Sequence, residues 1–220
     1  MATNRKKSLT FGDAVKSLRR TAFSSMLKPV GALCNLDCHY CYYLDKADIY
    51  GGRQPVMTDE LLENYVRQYI EANDVPLVNF SWHGGEPLLA GLDFYRKAVE
   101  LQKRYKDDKK IENNLQTNGT LLTQEWCDFF RDNNFLIGVS IDGPRDIHDA
   151  YRLDKGGRPT FDKIMHGIEM MERTGVQYNT LSTINRKSIG RGREVYRFMK
   201  SLGSHYMQFL PVCAVSYTRF

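Results

Sequence analysis

The 220-residue sequence contains no run of 18 apolar residues, so no stretch has the make-up of a membrane-spanning helix. Its first 26 residues also lack the 7–15-residue apolar core of a secretory signal. Cysteine is sparse and odd in number, five in all, with three of them inside eight positions. Secreted disulfide scaffolds spread an even count through a short chain, so that class is excluded. The thiols point instead to a reducing, cytoplasmic setting and to a metal. There is no low-complexity tract and no internal repeat. Charge is nearly balanced, with 31 basic against 26 acidic residues and a pI near 8.9, which is no footprint for nucleic acid. Much of the small excess lies in residues 1–26, where Arg5, Lys6, Lys7, Lys16, Arg19 and Arg20 face only Asp13. That stretch is expected to be a solvated basic tail.

What is present is an ordinary globular composition, 42% hydrophobic and 26% charged, long enough to bury one sizeable core. From residue 27 onward, strand and helix patterns alternate. Strands are expected over 27–30, 76–82, 111–117, 135–141, 176–184 and 205–210. Helices are expected over 59–72, through Phe94, Ala98, Leu101 and Tyr105, and over 123–133, 161–173 and 193–202. Six β/α units without a hairpin signal imply parallel strands joined by right-handed crossovers. Both an open doubly wound sheet and a partial (β/α)6 barrel satisfy the periodicity. Cys34/Cys38/Cys41, Gly84-Gly85-Glu86, Thr117-Asn118-Gly119, Ser140/Asp142 and Asn185 all fall at or just after strand ends. That is the rim where parallel α/β folds bind ligands. Five consecutive strands delivering polar residues or glycine to one rim favour the curved, barrel-like form.

The stretch "CNLDCHYCYY" places Cys34, Cys38 and Cys41 at C-x3-C-x2-C spacing. Iron–sulfur cubes normally take four thiolates, so three leave one iron open to an outside ligand. A zinc site with His39 as fourth ligand is the competing reading. The adjacency of His39 to Cys38 strains a shared tetrahedron, and no second C-x2-C or H-x3-H pair accompanies it. Cys127, beside Trp126 and near Phe129-Phe130, reads as a buried inert thiol. Cys213, past the last strand, has no assigned role.

The same stretch resembles the radical S-adenosylmethionine (AdoMet) superfamily signature, with an aromatic before the last cysteine. "WHGGEPLLAG", "LQTNGTLLTQEW", "GVSIDGPRDIHDAYR" and "FDKIMHGIEMM" resemble the anaerobic sulfatase-maturating branch of that superfamily. This resemblance implies a partial (β/α)6 barrel, a [4Fe–4S] cluster on Cys34, Cys38 and Cys41, and reductive cleavage of AdoMet. It implies that Tyr40 lies against the adenine and that Gly84-Gly85-Glu86 offers backbone to the methionine amino group. Ser140 would hydrogen-bond the cofactor, and Arg152 would pair with its carboxylate. The implied partners are a reducing electron donor and a sulfatase polypeptide whose Cys or Ser becomes Cα-formylglycine. Another radical AdoMet peptide maturase, such as a thioether-forming one, and a non-catalytic cofactor-binding fragment are the alternatives. Gln116, Thr117, Asn118 and Asp142 also fall on the rim, where cofactor, peptide or loop backbone would use them. The expected division is a tail over 1–26, a radical AdoMet domain over 27–210 and a C-terminal tail over 211–220. Relatives of this type continue into a SPASM-type extension carrying auxiliary-cluster cysteines and the aspartate proposed as catalytic base. By that resemblance the base is expected beyond Phe220, and no residue of this sequence is assigned to the role. The chain is therefore expected to be the N-terminal, cofactor-cleaving half.

Overall fold

The computed structural model describes Thr10 and residues 22–43, 46, 56–204 and 206–212. Most of the expected basic tail lies outside the described residues. So do Cys213, Phe220 and the rest of 213–220, which takes in most of the expected C-terminal tail. The catalytic base expected beyond Phe220 likewise lies outside the described residues.

Six strands form one parallel sheet in sequence order: β1 (Met26–Leu27), β2 (Leu77–Trp82), β3 (Lys110–Thr117), β4 (Phe135–Ser140), β5 (Tyr178–Ile184) and β6 (Met207–Pro211). Between them lie α1 (Asp59–Ala72), α2 (Leu92–Tyr105), α3 (Gln124–Asp132), the short α4 (Arg145–His148), α5 (Phe161–Thr174) and α6 (Gly192–Ser201). Parallel strands that each pair with the next in sequence place successive right-handed crossovers on one face. The sheet curls away from those helices, and β1 and β6 remain its two edges. This is the open, partial (β/α)6 barrel.

Local chemistry explains the element bounds. Thr58 caps α1 by accepting from Leu61 N at 3.3 Å, and Asp59 and Glu60 sit in the first turn, where the helix dipole favours acids. Thr123 caps α3 in the same way, accepting from Trp126 N. The strand expected over 27–30 stops at Leu27. Pro29 has no N–H to give a ladder, and the bonds Gly31 N to Lys28 O and Leu33 N to Val30 O, both 3.0 Å, close turns instead. The last strand runs Met207–Pro211 rather than 205–210, and residue 205 lies outside the described set.

Alternation along the strands divides the molecule into two faces. Val78, Phe80 and Trp82 of β2 and Phe135, Ile137 and Val139 of β4 are buried toward the helices. There they meet Tyr95, Trp126 and Phe130, with Trp82–Tyr95 and Tyr95–Trp126 packed edge to face at 5.4 and 5.6 Å. The intervening residues form a polar concave face, where Asn114 donates to Asn79 and Gln116 Nε2 donates to Ser140 Oγ at 2.9 Å. Gly138 leaves Gln116 its space, since a Cβ there would stand 2.1 Å from Gln116 Oε1.

One polar knot sits on the helix-facing side. Asn113 Oδ1 accepts from Trp82 Nε1 and from Gln102 Nε2, each at 2.9 Å, and Asn113 Nδ2 donates back to Gln102 Oε1. Asn113→Leu is expected to leave two buried donors unpaired and to destabilise the fold by about 2–5 kcal/mol. Urea unfolding followed by tryptophan fluorescence measures that loss.

Candidate functional site

Between Lys28 and Tyr43, where the three clustered cysteines lie, the described residues form turns and one isolated bridge rather than strand or helix. Neighbouring segments hold their backbone instead. On one side Gly85 N donates to Gly31 O at 2.9 Å and Glu86 N to Leu33 O at 2.8 Å. On the other, Asp37 N donates to Leu153 O at 2.8 Å and His39 N to Tyr151 O at 3.0 Å, with Leu36 bridged to Asp154. Cys41 N closes the turn onto Cys38 O at 2.9 Å.

The glycines at the end of β2 are explained by this closeness. A Cβ on Gly85 would stand 2.1 Å from Leu33 O and 2.7 Å from Ala32 O, both backbone atoms that cannot swing aside. Gly84 has φ +123°, and its Cβ would meet Gly31 O at 2.8 Å. Glu86 faces inward: its carboxylate is fully buried and accepts from Leu88 N at 3.0 Å, Thr117 Oγ1 at 2.8 Å and Asn118 N at 2.8 Å. It straps the end of β2 to the end of β3. Burial pushes its pKa up to about 7 against the pull of those donors.

Cys34, Cys38, Tyr40, Cys41, Gly84, Gly85, Ser140 and Arg152 line one cavity of about 470 Å³, at the rim where the strands end. Gln116, Thr117 and Asn118 join them, as do Leu181 and Thr183 of β5 and Leu210, Pro211 and Val212 at the end of β6. Glu86, expected to serve a cofactor, and Asp142, expected on the rim, are both absent from the cavity wall. Leu181 and Thr183 are not singled out by the sequence, although their positions follow from strand alternation at the C-terminal end of β5.

The polar groups of the site are interlocked. Cys34 Sγ accepts from Leu36 N at 3.4 Å and Asn118 Nδ2 at 3.8 Å, and Asn118 Nδ2 also donates to Asn35 Oδ1 at 2.8 Å. Burial is the main cause that pushes the Cys34 thiol up to about 11 and the Cys38 thiol up to about 12. Asp142, fully buried, accepts from Tyr40 Oη at 2.5 Å, from Arg152 Nε at 3.0 Å and from Thr183 N at 3.1 Å. The Arg152 guanidinium stands 5.5 Å from the centre of the Tyr40 ring. Arg152 stays charged: the adjacent Asp142 and Tyr40 outweigh the burial that opposes its charge.

His148 is a neutral bridge. Its Nδ1 accepts from Asp142 N at 3.4 Å, which leaves the proton on Nε2, 3.1 Å from Thr160 Oγ1, and Thr160 donates to Arg152 O at 2.7 Å. Burial, and secondarily Arg152, lower its pKa from 6.5 to about 3.

Among the described residues, no three His, Cys, Asp or Glu side chains draw together around a single-ion position.

Two outcomes test this arrangement. Gly85→Ala is expected to force backbone from backbone and lower stability by about 2 kcal/mol or more, measured by thermal melting. For His148, the unfolded state binds a proton below pH 6.5 that the folded state refuses until about pH 3. Its contribution is therefore complete above pH 6.5 and shrinks as pH falls, by about 1.4 kcal/mol per unit. Chemical denaturation of wild type and His148→Gln across about pH 5–8 should show the stability difference greatest at the alkaline end.

Residues 29–188 match the Radical SAM superfamily. The chain is 51% identical over 188 residues to a serine-type anaerobic sulfatase-maturating enzyme of Bacteroides thetaiotaomicron, covering 85% of this chain and 45% of that protein. It is 38% identical over 196 residues to a cysteine-type enzyme of Clostridium novyi, covering 86% of this chain and 51% of that one. The solved structure of anSMEcpe with bound AdoMet superposes with a TM-score of 0.81 at 34% identity, over 88% of this chain and 52% of the other. The chain thus spans about half the length of these relatives. Streptococcus suis SuiB, at 15% identity and a TM-score of 0.67, shares the fold. With the family match running from Pro29 through the cysteine loop and on past Arg152, the chain belongs to the radical SAM superfamily.

Proposed function

We propose that this chain is the AdoMet-cleaving part of an anaerobic sulfatase-maturating enzyme. The observation that carries the reading is the single cavity that gathers three thiols, the glycine pair, Ser140 and Arg152 at one end of the sheet. The donor set suits the group: the Cys34 and Cys38 thiols, which burial keeps protonated, would give up their protons on binding iron. Cys34, Cys38 and Cys41 would hold a [4Fe–4S] cluster. When bound, such a cluster supplies one electron to the sulfonium of AdoMet, splitting it into methionine and a 5′-deoxyadenosyl radical.

The chain's own residues bind and orient. Gly84 and Gly85 present bare backbone at the cavity, and Ser140 Oγ, already accepting from Gln116, has a proton to donate. Arg152 offers its fork to a carboxylate. Tyr40 offers a ring face, and Leu181 with Leu210 adds apolar wall against bulk water. Electrons would come from a low-potential one-electron donor, in a reducing compartment such as the cytoplasm.

By likeness to the serine-type relative, at 51% identity against 38% for a cysteine-type one, the substrate is a sulfatase segment presenting Ser. The solved relative anSMEcpe holds Cys-containing peptides named Cp18Cys and Kp18Cys alongside AdoMet. Loss of one Cβ hydrogen atom to the 5′-deoxyadenosyl radical, followed by loss of one electron to a one-electron acceptor and of one proton to a base, would take a substrate serine to the aldehyde of Cα-formylglycine.

Anaerobic reconstitution with iron and sulfide, reduction by dithionite and chromatography of the products test the first step. Wild type should form 5′-deoxyadenosine, and each of Cys34→Ala, Cys38→Ala and Cys41→Ala should lower it by a factor on the order of 100 or more. Wild type with full cluster absorbance and no 5′-deoxyadenosine would contradict the reading. Supplying sulfatase peptides with Ser or Cys at the target position tests the second step, by mass change of the peptide.

A further inference from the structure

We propose that Asp142 is a positioning residue for AdoMet, a buried carboxylate that sets the Tyr40 ring and the Arg152 fork against each other. This rests on the reading that Tyr40 and Arg152 face AdoMet. Asp142 is fully buried and forms no part of the cavity wall, so it acts on a ligand only through other groups. Its two oxygens gather donors from three separate segments: Tyr40 Oη from the cysteine loop, Arg152 Nε from the stretch after α4, and Thr183 N from β5. Ser182 Oγ donates to its backbone oxygen at 3.1 Å. Its backbone N–H begins the His148–Thr160 relay that ends on the Arg152 carbonyl. Arg152 is therefore gripped at both its main chain and its side chain from one residue.

The chemistry of that grip is specific. Binding Nε fixes the plane of the guanidinium and leaves the two Nη groups as the part presented to a ligand carboxylate. Anchoring the Tyr40 hydroxyl fixes the ring at its far edge, with the guanidinium 5.5 Å from its centre. A carboxylate beside Arg152 also cancels part of the positive charge that would draw in AdoMet's own carboxylate. Attraction and orientation thus make opposite demands at this position. If attraction governed, removing the Asp142 charge would tighten AdoMet binding. If orientation governs, it weakens binding, because preorganised partners lose less freedom when the ligand arrives.

The test uses the full chain with its cluster reconstituted, comparing wild type, Asp142→Asn and Tyr40→Phe. Iron and sulfide content are measured first, then AdoMet affinity by calorimetry and the change that AdoMet makes in the EPR spectrum of the reduced cluster. Asp142→Asn should keep its iron, bind AdoMet about 10-fold or more weaker, and show a broadened or absent AdoMet-induced EPR change. Tyr40→Phe keeps the ring and the carboxylate and removes only the anchor, so it should weaken AdoMet several-fold with iron content unchanged. Where Asp142→Asn loses iron, Tyr40→Phe decides. Tighter binding in Asp142→Asn, or wild-type affinity and EPR response in Tyr40→Phe, overturns the assignment. Wild type that takes up iron yet binds no AdoMet overturns the underlying reading and the assignment with it.

Discussion

Everything at this site depends on backbone hydrogen bonds that the cysteine loop borrows from its neighbours. A loop that must converge three side chains on one small group cannot run as a regular strand or helix, so its N–H and C=O groups need partners elsewhere. Gly85 and Glu86 supply them on one side and residues 151–154 on the other. The approach is so close at Gly85 that a single Cβ would overlap Leu33 O. The glycine pair is thus required by the protein itself before any ligand arrives. The same bareness is what a cofactor's amino group would use.

Around that loop the fold buries charge. Glu86, Asp142 and Arg152 are each at most 7% exposed, and burying an ion without a partner costs several kcal/mol. Each has been given partners, and each set of partners ties separate strand ends together. Glu86 joins β2 to β3 through Thr117 and Asn118. Asp142 joins the cysteine loop, the stretch after α4 and β5. The desolvation that makes such groups expensive also makes their geometry hard to change, which suits a site that must hold a cofactor rigidly. The polar concave face leads into it through Gln116 and Ser140.

Much of this is legible in the sequence, and the reasons are physical. Helix α1 lies where its cap and apolar spacing put it, and β2, β4 and β5 carry enough β-branched and aromatic residues to declare themselves. Strand ends in a parallel sheet face the same way whatever the loops do, so the polar residues that follow them share one rim. What stays hidden are the partnerships. Nothing local to Asp142 says that it meets Tyr40, 102 positions away, and nothing local to Glu86 says that its carboxylate turns inward. Leu27 and Val30 suggest a longer first strand than the molecule has, because Pro29 and Gly31 decide the backbone there. Leu181 and Thr183 escape a sequence reading because single residues on a strand carry no signature of what they face.

The family places the chain among proteins that act through AdoMet, and the chain spans about half the length of the curated relatives it matches. The central claim is that three cysteines hold a cluster and leave one metal corner for AdoMet. Mössbauer spectroscopy of the chain reconstituted with isotopically enriched iron, with and without AdoMet, tests it most directly. The account predicts that one iron of a [4Fe–4S] cluster changes its isomer shift when AdoMet is added while the others hold. Four equivalent irons that ignore AdoMet, or a protein that takes up zinc and no iron, would contradict it.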